Sequence, residues 1–157
     1  MRKHLLAFLS LFLCVGAAFA AVPAKSELGL VGEFVSTDSG NDPWTFVADL
    51  LLPVSKSGAF LIGPAVAVGS VDELTRLGAG FDWNLTGPKN GPFIGAAAYY
   101  FVKDVDDLDM YTVTARAGFK FAIGKGAAIK VYAWDVLDGR GKDETDISVA
   151  AGIVARF

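Results

Sequence analysis

The stretch Tyr111-Thr112-Val113-Thr114-Ala115-Arg116-Ala117-Gly118-Phe119-Lys120-Phe121-Ala122-Ile123 decides the fold. Tyr111, Val113, Ala115, Ala117, Phe119, Phe121 and Ile123 share one parity, while Thr112, Thr114, Arg116, Gly118, Lys120 and Ala122 share the other. A helix would mix these two sets around its circumference. A strand sends alternate side chains to opposite faces, giving one apolar wall and one small or cationic wall. The last residues repeat the pattern. Ile147, Val149, Ala151, Ile153, Ala155 and Phe157 face one way, and Asp146, Ser148, Ala150, Gly152, Val154 and Arg156 the other.

Outward from these two stretches the chain divides into eight runs separated by turn clusters. They are Glu27–Ser36, Asp42–Pro53, Ala59–Gly69, Glu73–Thr86, Pro92–Lys103, Leu108–Ile123, Ala127–Leu137 and Thr145–Phe157. The second run sets Asp49 opposite Trp44, Phe46 and Leu50. The fourth sets Arg76 and Asp82 opposite Leu77, Phe81 and Trp83. The fifth run carries rings at both parities and the seventh is ambiguous, and their faces stay unassigned. Residues 21–157 shared among eight runs give roughly 17 residues per strand and turn, which suits spans of about 9–11 residues.

The first twenty residues belong to a different argument. Met1-Arg2-Lys3-His4 is basic, Leu5 to Ala18 is a short apolar run, and Ala18-Phe19-Ala20 has the form a signal peptidase accepts. The run is too short for a comfortable membrane helix. Cys14 follows Leu13, where a lipoprotein site needs a small residue. The expected organisation is a signal peptide, 1–20, cut after Ala20, and one barrel domain, 21–157. Cys14 and His4 then leave with the signal, so the mature domain has neither thiol nor imidazole. Its balance is 12 basic to 17 acidic residues, a net of −5. That excludes the basic footprint nucleic acid requires.

Hydrophobic content is 53%, and the question is which face of the sheet the apolar residues line. The turns after runs one, three, five and seven carry Asp38, Asp42, Asp72, Glu73, Asp104, Asp106, Asp107, Asp109, Asp138, Asp143, Glu144 and Asp146, twelve of the 17 acidic residues. The alternate turns hold Lys56, Lys89 and Lys125 among Pro, Gly and Ser. An up-and-down barrel sends alternate turns to opposite ends, so one rim is acidic and the other tight. The same assignment places Phe34, Trp44, Tyr99, Tyr100, Phe101 and Tyr111 near the acidic rim. Phe60, Phe81, Trp83, Phe93, Phe119, Phe121 and Phe157 fall near the other. Two aromatic girdles around small mid-strand residues are the mark of a wall facing lipid. The predicted fold is all-β: an eight-stranded antiparallel up-and-down transmembrane β-barrel.

In strand number, turn asymmetry and final strand the chain resembles the small eight-stranded outer-membrane barrels of the OmpA-transmembrane-domain and OmpX type. Val149, Ala151, Ile153, Ala155 and terminal Phe157 look like the signal that the barrel-assembly machinery reads. The resemblance implies periplasmic termini and cell-surface acidic loops. It also implies a bacterial outer-membrane location with lipid and lipopolysaccharide as surroundings, and a monomer.

Candidate chemistry follows from the inward residues. Some eight-stranded outer-membrane barrels acylate or deacylate lipid A with a histidine base, the usual proton acceptor for a serine nucleophile. The mature domain has no histidine, so we expect no enzyme and no cofactor. Glu33, Asp49 and Asp82 face Arg76, Arg116, Lys120 and Arg156. Eight strands enclose an interior just wide enough for side chains, so these charges are expected to pair and fill the lumen. A gated ion path along the same groups is the functional alternative. Asp104, Asp106, Asp107 and Asp109 are the densest oxygen cluster and the only candidate metal ligands. They lack the Gly and distal Glu of an EF-hand loop, and solvated turn surface is the preferred reading. Gly78 and Gly80 are expected to make room for the charges or to let the strand bend. The resulting expectation is a non-enzymatic barrel with a structural or surface-interaction role. Its rivals are a narrow pore or conduit for small, hydrophobic solutes and a soluble periplasmic ligand-binding barrel.

Overall fold

A sheet whose strands alternate in this way exposes unpaired backbone groups at its two edges unless it closes on itself. In the computed structural model it closes. The strands are β1 (Glu27–Ser36), β2 (Trp44–Pro53), β3 (Phe60–Gly69), β4 (Thr75–Asn84), β5 (Gly91–Phe101), β6 (Tyr111–Ala122), β7 (Ala127–Val136) and β8 (Ile147–Arg156). Each is antiparallel to the next, and β8 returns to β1. The structure describes residues 24–36, 44–69, 75–87, 90–101, 111–137 and 147–157. The expected signal peptide and the acidic turns, with Asp104, Asp106, Asp107 and Asp109, lie outside the described residues. Among the described residues no helix is long and apolar enough to cross a membrane.

Each predicted run corresponds to one strand: β1 coincides with its run, β5 starts a residue earlier, at Gly91, and the others are trimmed at one or both ends by a residue or a few. The closing seam sets Glu27 opposite Arg156 and Leu30 opposite Ile153. It is finished by the backbone: Lys25 N–H donates to the Phe157 carbonyl, and Phe157 N–H donates to the Ser26 carbonyl. The tight-turn end also carries a second tie, Lys25 Nζ donating to the Lys56 carbonyl.

The wall is apolar outside and polar inside. Leu30, Phe46, Leu77, Val131 and Ile153 are exposed on the outer face. Trp83, Phe119 and Phe121 are 39%, 48% and 49% exposed, values that place these rings on the outer wall. Phe60 stacks on Trp83 at 5.1 Å and on Phe81 at 6.2 Å, and Phe119 stacks on Phe121 at 5.8 Å. Toward the acidic end Trp44 meets Phe46 edge-on, with Phe34, Tyr100 and Tyr111 exposed around them. Val149, Ala151, Ile153 and Phe157 share this outer face on β8 and beyond it. A soluble carrier barrel has the opposite polarity.

Two girdle assignments are corrected. Phe93 and Tyr99 point into the lumen, 1% and 4% exposed. Alternation on β5 follows Phe93, Gly95, Ala97 and Tyr99 inward and Ile94, Ala96, Ala98 and Tyr100 outward, so the pair Tyr99-Tyr100 gives one ring to each wall. The side chain of Phe101 lies outside the described residues. On β7, Ala128, Lys130 and Tyr132 line the lumen with half-buried Trp134. Ile129, Val131, Ala133 and Asp135 face out, Asp135 near the acidic end of the strand.

Candidate functional site

The inward residues form tiers along the barrel axis. At the tight-turn end Leu51, Leu61, Ala128, Val154 and Phe93 are all essentially without exposure. They come from β2, β3, β7, β8 and β5 and meet because an eight-stranded interior leaves room for little more than side chains. Lys130 Nζ lies 4.8 Å and Lys120 Nζ 5.0 Å from the Phe93 ring centre. The π face of Phe93 thus sits beneath two ammonium groups, a favourable placement for buried cations.

Asp82 is the hub of the next tier, with no exposure at all. Lys130 Nζ donates to its Oδ2 at 2.7 Å, and Lys120 Nζ lies 3.1 Å from the same oxygen. Arg116 Nε donates to Oδ1 at 2.9 Å, with Nη2 2.7 Å away. One carboxylate therefore holds three cations from two neighbouring strands. Lys120 also donates to Glu27 Oε2 at 2.6 Å, and Arg156 Nε donates to Glu27 Oε1 at 3.1 Å. This second contact carries the network down to the seam. Asp49 completes the tier more loosely, 3.6 Å from Arg116 Nη2 and 3.9 Å from Lys130 Nζ.

Glycines make this density possible. A Cβ on Gly95 would sit 2.4 Å from the Phe81 carbonyl on β4, 2.7 Å from Asp82 Oδ1 and 3.0 Å from Arg116 Nε, so this glycine serves both the strand approach and the charges. A Cβ on Gly80 would sit 3.1 Å from Arg116 Nη2, as expected of a residue that makes room for a long charged side chain. At Gly78 the obstacle is the Ala98 carbonyl on β5, so there the missing side chain lets the two strands approach.

Above the hub the lumen mixes hydroxyls with a buried apolar lining of Val31, Val47, Ala65, Ala67, Ala97 and Ala150. Thr45, Thr112, Thr114, Ser148, Tyr99 and Tyr132 line it with hydroxyls. Tyr132 OH donates to Glu33 Oε1 at 2.6 Å, Arg76 Nη2 donates to Thr45 Oγ1 at 3.0 Å, and Thr114 Oγ1 donates to the Ala97 carbonyl at 3.4 Å. Arg76 lies 5.9 Å from the Tyr99 ring centre.

Of the residues predicted for the lumen, the structure brings Asp49, Asp82, Arg116 and Lys120 together in one cluster. It sets Glu33 and Arg76 in the tier above and Arg156 at the seam below. Sequence reasoning missed Lys130, Glu27, Tyr132 and Tyr99. Lys130 was out of reach while β7 had no assigned face, although its register partners Lys120 and Gly152 both belong to inward parities. Among the described residues no three His, Cys, Asp or Glu side chains converge as metal ligands would. What the arrangement can do chemically is hold charge in place: every carboxylate in it is engaged by a cation or a phenol.

No protein-family model matches the sequence, and no curated protein matches it. Solved structures are similar to it in fold. A barrel from the de novo design of transmembrane beta-barrels has a TM-score of 0.59 at 17% identity over 86% of this chain and 97% of that one. The solution structure of the de novo designed TMB2.3 has a TM-score of 0.54 at 15% identity over 87% and 97%. A KdgM porin in complex with disordered oligogalacturonate matches with a TM-score of 0.32 at 14% identity over 83% and 99%. The fold is that of a transmembrane β-barrel.

Proposed function

We propose that this chain is a non-enzymatic outer-membrane β-barrel whose lumen is shut by its own ion pairs and whose role is structural or one of contact at the cell surface. The observation that carries the reading is the Asp82 hub, which fills the lumen with paired charges. Arg116, Lys120 and Lys130 converge on one fully buried carboxylate, with the two ammonium groups over the Phe93 ring. A path for ions through this cluster requires separating charges that are almost fully buried, and breaking a buried pair costs about 3–5 kcal/mol.

In this reading residues 1–20 export the chain and are removed after Ala20, and the outward face of β8 with Phe157 is read by the barrel-assembly machinery. The finished barrel stands as a monomer among outer-membrane lipid and lipopolysaccharide, in the manner of the OmpA transmembrane domain and OmpX. The aromatic outer wall supports the membrane setting, since rings favour the two lipid–water interfaces. The test is electrical. Purified barrel inserted into planar bilayers is expected to leave the current at the lipid baseline; sizeable single-channel steps would falsify the closed lumen and favour the narrow-pore reading instead.

A further inference from the structure

Pro64 stands well inside β3, where a strand with a neighbour on each side ordinarily has no proline, because proline offers no N–H to the ladder. Its ring is on the outer wall with Phe60, Ile62, Val66 and Val68, and its effect falls on one side only. Toward β4 the pairing runs unbroken, from Phe60 opposite Trp83 to Val68 opposite Thr75. Toward β2 it runs from Thr45 opposite Gly69 to Asp49 opposite Ala65, lapses at Leu50 and Leu51, and resumes at Leu52 opposite Ile62. Every other ladder of the barrel is without such a gap among the described residues.

The phase of the ladder explains the side. Val54 N–H donates to the Phe60 carbonyl at 3.0 Å, and bonding and non-bonding pairs alternate along an antiparallel ladder. Stepping back by twos makes Leu52 with Ile62, Leu50 with Pro64 and Ala48 with Val66 the bonding pairs. The Leu50 carbonyl therefore faces the one residue type that cannot donate to it. It lies instead against Gly63, where an added Cβ would run into it, so the neighbouring strand offers it only a weak Cα–H contact. The hydrocarbon outside supplies no substitute donor.

The side chains at this boundary do not make up the loss. Outside are Leu50, Leu52, Ile62 and Pro64, and inside are Leu51, Leu61 and Ala65, all three buried. Asp49 is the one ionised side chain of β2 and β3, and the cations near it, Arg116 and Lys130, stand on β6 and β7. Among the described residues no ion pair joins β2 to β3. The closing boundary of the sheet is built otherwise. There the pairing is continuous from Glu27 opposite Arg156 to Ser36 opposite Ile147. Arg156 Nε donates to Glu27 across it, and the Phe157 backbone bonds to Lys25 and Ser26 beyond it.

We propose that the barrel opens first between β2 and β3, at Leu50 and Pro64, and not between β1 and β8 where the sheet closes. The wall then carries a built-in line of lateral opening. The first inner groups it uncovers are the apolar Leu51 and Leu61, which acyl chains accept. The inference needs only the transmembrane wall and stands or falls separately from the closed lumen.

The experiment is amide hydrogen exchange, followed by NMR on the folded chain in detergent micelles and read as protection factors. The amides of Leu50, Leu52 and Ile62 bond across the β2–β3 boundary. Those of Leu30 and Ile153 bond across the closing one, by the same count of twos from Phe157 and Ser26. The first three are expected to be less protected than the last two. Pro64→Ala restores the donor without touching the lumen and is expected to raise protection at Leu50, Leu52 and Ile62 on the order of tenfold. Val66→Ala trims the same outer face, leaves the ladder as it is, and is expected not to raise it. Equal or greater protection at Leu50, Leu52 and Ile62 in the unaltered chain overturns the proposal. So does a Pro64→Ala chain, folded by gel mobility, with protection there unchanged, or a like rise in Val66→Ala. If Pro64→Ala does not fold, the comparison within the unaltered chain decides alone.

Discussion

Replacing Asp82 by asparagine keeps the shape of the hub and removes its charge. Three cations lie within 3.1 Å of the carboxylate. At an effective dielectric of ~20 each such contact is worth about 5–6 kcal/mol gross. Most of that only offsets desolvation, so the net loss on removing one partner of a buried pair is about 3–5 kcal/mol. The remaining acids decide which cation suffers. Lys120 keeps Glu27 at 2.6 Å, Arg116 retains Asp49 at 3.6 Å, and Lys130 retains it only at 3.9 Å. The damage therefore falls mainly on Lys130, a residue 1% exposed with its ammonium over Phe93 and Tyr132. Asp82→Asn is expected to lower unfolding free energy by about 3–5 kcal/mol. Adding Lys130→Met, which removes the stranded charge and keeps the length, is expected to restore most of it. The assay is urea unfolding in phospholipid vesicles, read by the shift in gel mobility between folded and heated barrel. A loss below about 1 kcal/mol, the scale of an exposed ion pair, refutes the hub; so does a double variant no better than the single.

Two further outcomes test the packing and the polarity of the wall. Gly95→Ala places a methyl 2.4 Å from the Phe81 carbonyl and within 3.0 Å of both Asp82 Oδ1 and Arg116 Nε and is expected to cost about 1–3 kcal/mol by overpacking. Gly124→Ala, with nothing within 4 Å of its added Cβ, is expected to be silent in the same urea titration. Leu30→Arg sets a cation on the outer wall, midway along β1 and flanked by Ile153 and Ala48. In vesicles it is expected to cost about 2–4 kcal/mol, and a change close to zero means that wall faces water.

The four strands whose parities were decisive, β2, β4, β6 and β8, were legible because each carries charge on one face and rings or aliphatics on the other. β5 and β7 resisted for a physical reason. Tyr99-Tyr100 and Lys130 with Asp135 put similar chemistry on both parities, because the lumen needs rings to bracket its cations and the acidic end of the outer wall admits a carboxylate. Phe93 was misplaced by the same blindness: a ring near a strand end serves a girdle or a plug equally well, and only its neighbours Lys120 and Lys130 tell them apart. Glu27 was missed because its partner Arg156 is 129 residues away. That contact depends on the stagger with which the sheet closes, and a single sequence does not state the stagger.

The charged lumen also bears on why this sequence adopts this register. Side chains alternate with a period of two, so a slip of one residue exchanges the inner and outer sets of a strand. In β6 that slip would turn Arg116 and Lys120 out into the acyl chains, at about 2–4 kcal/mol each near the midplane, and turn Phe119 and Phe121 in upon Phe93. In β4 it would remove Asp82 from the three cations that depend on it. An apolar lumen of the same volume would lack this penalty, because lipid accepts Leu or Val from either face. Buried ion pairs are weak evidence for stability, and apolar replacements of similar volume are often as stable. What the pairs around Asp82 supply is a large energetic difference between the inside-out arrangement and its one-residue neighbours, and a protein folding between two phases of opposite polarity requires that difference.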